Sequence, residues 1–176
     1  MNKKLSLEEL NRPTVAQYEA QEKFPIVVLL DDIRSLANVG SIFRTADSFN
    51  VQEIILGGIT GTPPHREIQR TALGATESVK WKHEPDVEEA IRRLKKEGFL
   101  IASVEQCESS VSPTQFHEIK KPICLVLGNE VMGVKQSIID NSDLVFEIPQ
   151  LGTKHSLNVT VAAGVVIWEC FKAFNS

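Results

Sequence analysis

Three short segments of this chain gather residue types that could do chemistry. In the first, Asp31 to Ala46, Asn38 and Gly40 precede Arg44. In the second, Leu125 to Val134, an apolar run ends in Gly128-Asn129-Glu130 and closes at Gly133. In the third, Ile148 to Val159, a proline is followed by Lys154-His155-Ser156-Leu157-Asn158. Each segment follows an apolar run, so each falls where a strand hands the chain to a loop. Asn38 and Gly40 suit a turn because both tolerate unusual backbone angles. Arg44 then falls about one turn into the next helix, within reach of a cleft at the strand ends. Glycines on either side of Glu130 allow backbone to come close to a ligand. Taken singly, Arg44 is first a surface arginine, Ser156 a helix N-cap and His155 a polar loop residue. The chain has neither a GxGxxG fingerprint nor a P-loop, and Gly57-Gly58-Ile59-Thr60-Gly61 is too weak to stand for either.

The elements that must position these residues alternate between strand and helix. The runs Ile26–Leu30, Glu53–Leu56, Phe99–Val104, Ile123–Leu127 and Leu144–Ile148 are short, apolar and rich in β-branched residues, as buried parallel strands are. Helices are predicted over about Val39–Phe49, Asp86–Glu97 and Ser156–Phe174. The middle one carries an apolar stripe of Val87, Ala90, Ile91 and Leu94, with Glu88/Arg92 and Glu89/Arg93 as i,i+4 pairs and Gly98 as its stop. Ahead of the first strand, Ser6-Leu7-Glu8-Glu9 and Thr14-Val15-Ala16-Gln17 fit the capping box, giving two short helices separated by Pro13. The pattern predicts an α/β fold with a mainly parallel sheet and helices on both faces. It divides into an N-terminal helical extension, residues 1–24, and one globular domain, residues 25–176. Sites in such sheets form at the carboxyl ends of strands, where the three segments fall. The last helix is apolar nearly all round, and burial against a second subunit is its natural outlet.

Composition narrows the function classes. The 176 residues suffice for one sizeable core, and 42% hydrophobic with 24% charged residues is ordinary for a globular chain. A net charge of −4 argues against a protein that coats nucleic acid by bulk charge, so any nucleic-acid contact must rest on a local site. No apolar stretch reaches membrane-spanning length, and the first residues lack the apolar region of a signal peptide. Cys107, Cys124 and Cys170 are an odd number without CxxC or Cys/His spacing, which predicts free thiols, no metal site and a reduced, cytoplasmic setting.

Taken together, the three segments resemble the three motifs of the SpoU, or TrmH, family within the SPOUT methyltransferase superfamily. Motif one is Asn38-x-Gly40-x-x-x-Arg44-Thr45-Ala46, and motif two is Leu127-Gly128-Asn129-Glu130-x-x-Gly133. Motif three is Ile148-Pro149, then Ser156-Leu157-Asn158-Val159 and Ala162-Ala163-Gly164. The resemblance covers roughly residues 25–172.

It implies a sheet with a C-terminal trefoil knot, homodimerisation, and S-adenosylmethionine held largely by backbone groups at Ala102, Leu127, Gly128, Ile148 and Leu157. It also implies methyl transfer to a ribose 2′-hydroxyl of structured RNA, tRNA or rRNA, without a metal. Arg44 takes the place of the family's essential arginine. Some accounts make that arginine the general base; a guanidinium holds its proton, so a phosphate clamp that stabilises the developing alkoxide is the better physical role. Asn38, Glu130, Ser156 and Asn158 would orient Arg44 and the ribose, with Glu130 ion-paired to Arg44. His65, Arg66, Arg70, Lys154 and His155 are the candidate RNA contacts. A non-catalytic RNA-binding or assembly protein on the same fold is the competing class, and the intact Asn38, Arg44, Glu130, Ser156 and Asn158 speak against it. A nucleotide-binding oxidoreductase lacks its fingerprint.

Overall fold

The structure, a computed structural model, describes residues 2–6, 8–118 and 120–176. Along the chain lie α1 (Val15–Ala20), β1 (Phe24–Asp31), α2 (Leu36–Ser48), β2 (Val51–Gly57), α3 (Arg66–Ala72), α4 (Ala75–Ser78) and β3 (Trp81–Glu84). Then follow α5 (Val87–Lys96), β4 (Leu100–Val104), β5 (Ile123–Leu127), α6 (Gln136–Asp140), β6 (Leu144–Phe146) and α7 (Val159–Phe174). The six strands form one sheet in the order β3-β2-β1-β5-β4-β6, and every pairing is parallel. The chain builds outward from β1 on one side, then returns to its other side, so strand order reverses between β1 and β5.

Strand side chains alternate between two cores. Ile26, Val28 and Leu30 of β1 join Ile123, Leu125 and Leu127 of β5 beneath α2, α3, α4 and α7. Val27, Leu29, Cys124 and Val126 face the other way, toward α5 and Ile138 of α6. Helices therefore cover both faces, and the central strands are apolar throughout because neither face meets water. Tyr18 of α1 is buried in the first core, so the N-terminal extension packs onto the sheet domain.

Several expectations are corrected. Residues 8–11 form a turn rather than a first helix, although Ser6 and Glu9 exchange the reciprocal capping bonds. Asn11 adopts a left-handed φ of +45°, and the Arg12-Pro13 pair that follows disfavours helix. Leu7 of that stretch, like Met1, lies outside the described residues. Edge strand β3 escapes the hydrophobic pattern because Trp-Lys-His-Glu is only partly covered. On α5 the pairs shift: Arg92 binds Glu89, and Arg93 reaches Glu84 and Glu97. Such pairs contribute about 0.2–0.5 kcal/mol each. Burying one large aliphatic side chain contributes about 1.5–3 kcal/mol. The stripe of Val87, Ile91 and Leu94 therefore docks α5.

Candidate active site

A cleft of about 710 Å³ opens at the carboxyl ends of three adjacent strands, and Leu127, Val104 and Phe146, their last residues, form its floor. Its walls come from Glu105–Cys107, from the loop Gly128–Val134, and from Ile148, Gln150 and His155–Val159. Cleft volume and a mixed lining of aliphatic side chains and backbone suit a small organic ligand.

Motif two builds one wall by folding on itself. Gly133 has a φ of +69° and its amide donates to the Asn129 carbonyl over 2.9 Å. A Cβ at Gly128 would overlap the backbone of Gly133 and Val134. These glycines thus serve the loop's own crossing, and both also line the cleft. The Asn129 carboxamide holds both sides of the turn. Its oxygen accepts from Val131 and Met132 amides, and its nitrogen donates 2.7 Å to the Asp32 carbonyl. Glu105 closes the far side by accepting from the amides of Gln106 and Val134.

Motif one is helical from its start. Ser35 caps α2 by accepting from the Asn38 amide, so Asn38 and Gly40 lie inside the helix and not in a turn. Gly40 is required by packing: a Cβ there would overlap Thr71 Oγ1 and the Ile68 carbonyl oxygen of α3. The Glu130 carboxylate reaches across to this helix start. It accepts from the Arg34 amide (3.0 Å), the Ser35 amide (3.0 Å) and the Asn38 carboxamide (2.9 Å). Partial burial pushes the Glu130 carboxyl up, but the bonds from Arg34, Asn38 and Ser35 outweigh it and hold it below the ordinary range.

Motif three enters through an exposed loop. Asn158, not Ser156, is the N-cap of α7, accepting from the Thr160 amide over 2.8 Å. Its Nδ2 stands 3.5 Å from Asn38 Oδ1, completing a line from Glu130 through Asn38 to Asn158. Ser156, Leu157 and His155 line the cleft, and Gln106 Nε2 donates to the His155 carbonyl over 2.7 Å. The Cys107 thiol on this wall is pushed up by burial, then by the charges of Glu105 and Glu147, which opposes a nucleophilic role.

Among the expected site residues, Leu127, Gly128, Glu130, Ile148, His155, Ser156, Leu157 and Asn158 line the cleft, and Asn38 joins it through Glu130. The other expected site residues lie outside the cleft of the single chain. Ala102 is wholly buried in mid-strand, paired between Leu125 and Leu144; Val104 to Cys107 take its place at the cleft. Arg44 lies on the exposed flank of α2, outside the cleft, and no ion pair joins it to Glu130 among the described residues. The reason is helical geometry. Because α2 starts at Leu36, Arg44 is more than two turns in, about 9 Å along the axis from Asn38 and rotated about 120° away. Arg70 is paired with Glu67 over 2.9 Å, and His65 is the N-cap of α3. Arg66 and Lys154 are exposed. The wall Val104–Cys107 escaped sequence reasoning because Glu105, Gln106 and Cys107 carry no recognisable spacing.

Comparison with known proteins agrees with this architecture. A protein of Borreliella burgdorferi named an uncharacterized tRNA/rRNA methyltransferase is 33% identical over 149 residues, 85% of this chain and 64% of that one. The chain likewise spans 64% of the length of its next relative, from Staphylococcus saprophyticus. The crystal structure of the A. aeolicus TrmH/SpoU tRNA modifying enzyme superposes with a TM-score of 0.81 at 24% identity, over 92% of this chain and 81% of that one. An AdoMet-bound rRNA methyltransferase from Sinorhizobium meliloti gives 0.79 at 28% identity, over 86% and 57%. Residues 25–168 match the SpoU rRNA Methylase family. With its parallel sheet, its strand-end cleft and its three converging motifs, the chain belongs to the SpoU rRNA methylase family.

Proposed function

We propose that the protein is an S-adenosylmethionine-dependent methyltransferase that methylates a ribose 2′-hydroxyl in structured RNA, tRNA or rRNA. The observation that carries this reading is the Glu130–Asn38–Asn158 line, which draws all three motifs to the rim of one cleft. The S. meliloti relative, 28% identical, is AdoMet-bound. In the bound state the cofactor supplies an electrophilic methyl group. Leu127, Ile148 and Leu157 give its adenine an apolar slot, with Gly128 and the neighbouring backbone beside it. Glu130, Asn38, Ser156 and Asn158 order the rim where the ribose would enter. Alignment of the hydroxyl with the methyl carbon contributes much of the rate in this reading.

Arg44 serves the RNA phosphate and the developing alkoxide. Because it faces away from its own cleft, this reading requires a second copy of the chain to bring Arg44 to the site. The exposed stripe Val161, Val165 and Trp168 along α7 is the matching homodimer surface. Lys154, His155, His65, Arg66 and Arg70 are the proposed RNA contacts. The same reading takes residues 25–176 as the methyltransferase domain, places its knot around the cleft, and locates the protein in the cytoplasm.

The test is competitive calorimetric titration with S-adenosylmethionine and NAD, followed by mass mapping of RNA methylated by the protein. S-adenosylmethionine should bind more tightly, and the methyl should map to ribose. Tighter NAD binding, or a methylated base, would sink the reading.

A further inference from the structure

Lys135 breaks two local rules. It is the N-cap of α6 and makes no side-chain capping bond, where Ser, Thr, Asp or Asn is favoured. A cationic residue is also disfavoured at the positive end of a helix. Asp31 breaks a third rule, being a carboxylate only 1% exposed at the end of a central strand, with Oδ2 buried and without a hydrogen-bond partner. Each charge is out of place alone and makes sense with the other. Lys135 Nζ lies 3.0 Å from Asp31 Oδ1 and 2.7 Å from Asp32 Oδ2. Local rules broken in concert mark a functional demand on the segment.

The demand is visible in what the bridge connects. Asp31 and Asp32 lead from β1 into the segment that carries Ser35 and Asn38. Lys135 ends the loop Gly128–Val134, which carries Glu130 and walls the cleft. Without the bridge, Asn129 would tether the loop to Asp32, Glu130 would tether it to the start of α2, and Glu105 to Val134. All of these contacts are hydrogen bonds, and the Glu130 set lies at an exposed rim. Lys135 adds a charge pairing anchored in the sheet itself.

We propose that Lys135 is a positioning residue whose bridge to Asp31 and Asp32 holds the Gly128–Val134 loop as a wall of the cleft and aims Glu130 at the start of α2. The consequence for cofactor affinity rests on the function proposed above; the consequence for the loop does not. Lys135→Met leaves the buried Asp31 without its cation, so urea unfolding of the variant accompanies the test, and Lys135→Arg keeps a cation able to span both carboxylates.

The experiment compares the full chain with both variants in two measurements. In the ligand-free protein, amide hydrogen exchange at Val134, Arg34 and Ser35 should quicken about tenfold in Lys135→Met and return toward wild type in Lys135→Arg, since one lost charge-assisted contact shifts a local equilibrium by about that factor. S-adenosylmethionine should bind Lys135→Met about tenfold more weakly, with rescue by arginine. Unchanged exchange at these amides overturns the proposal. So does acceleration spread evenly over β1 and β5, which would make Lys135 a general stability residue. If the loop amides loosen while even the wild type ignores S-adenosylmethionine, the bridge stands and the proposed function falls. If the wild type binds it and Lys135→Met binds equally well, the positioning role falls alone.

Discussion

The Asn38 carboxamide donates to Glu130 Oε1 over 2.9 Å, joining two motifs 92 residues apart. The same carboxylate accepts from the Arg34 and Ser35 amides, so one side chain holds the backbone that enters α2 and orders the cleft rim. A carboxylate at a helix start is favoured by the orphan amides and by the helix dipole.

Replacing Glu130 should therefore act on structure and site together. Glu130→Ala is expected to cost about 1 kcal/mol of stability, the usual loss for a helix cap. It should lower methyl transfer by more than that small loss explains. Urea unfolding paired with single-turnover transfer checks both. Wild-type transfer in Glu130→Ala would remove Glu130 from the site.

Acid should release the same contacts. The Glu130 carboxyl is held below the ordinary range by its hydrogen bonds, which outweigh burial. A lowered folded-state value stabilises the protein above the unfolded value and loses that contribution as pH falls through the folded one. The Arg34 and Ser35 amide resonances should therefore hold steady down through about pH 4.3 and shift only below it. A midpoint above that value contradicts the assigned partners. In Glu130→Gln the transition should vanish.

Arg44→Ala should cut methyl transfer by roughly 10²–10³, the loss of one charged contact to the transition state. Cofactor affinity should stay near wild type, since Arg44 does not line the cleft of its own chain. Single-turnover transfer and calorimetric titration separate the two. Collapse of cofactor binding would make the role of Arg44 structural.

The apolar stripe on α7 should bury against a second copy. Val161 is 51% exposed and Trp168 45% exposed. At micromolar concentration, sedimentation should find two copies of the 19.6 kDa chain together. Val161→Glu should weaken that association by about tenfold or more. A clean wild-type monomer would defeat both the dimer and the shared site.

Gly40→Ala should destabilise. Alanine gains about 1 kcal/mol over glycine in a helix. Overpacking costs about 1–3 kcal/mol, and here the new methyl meets the Ile68 carbonyl oxygen, which is backbone and cannot step aside. With a backbone atom in the way the cost falls at the upper end of that range, so urea unfolding should show a net loss of up to about 2 kcal/mol. A gain would mean that α2 and α3 separate easily.

The sequence by itself determined the layered fold. Runs such as Ile26–Leu30 and Ile123–Leu127 are apolar at every position because both sheet faces are covered, and α5 shows its stripe at helical spacing. It also marked the three segments that meet at the cleft, since Asn38 and Gly40, Gly128 to Glu130 with Gly133, and Ser156 with Asn158 stand out by type and spacing just after apolar runs. The rest was decided in three dimensions. That Glu130 binds the start of α2 and not Arg44 depends on where α2 begins, and the capping by Ser35 shifts that start by about a turn. That Gly40 serves a helix crossing depends on the approach of α3, which no nearby residue announces. The bridge from Lys135 to Asp31 spans 104 positions and offends local preference at both ends. Periodicity reports burial and local geometry, whereas charge partners are chosen by the sheet order, which brings the ends of β1 and β5 side by side.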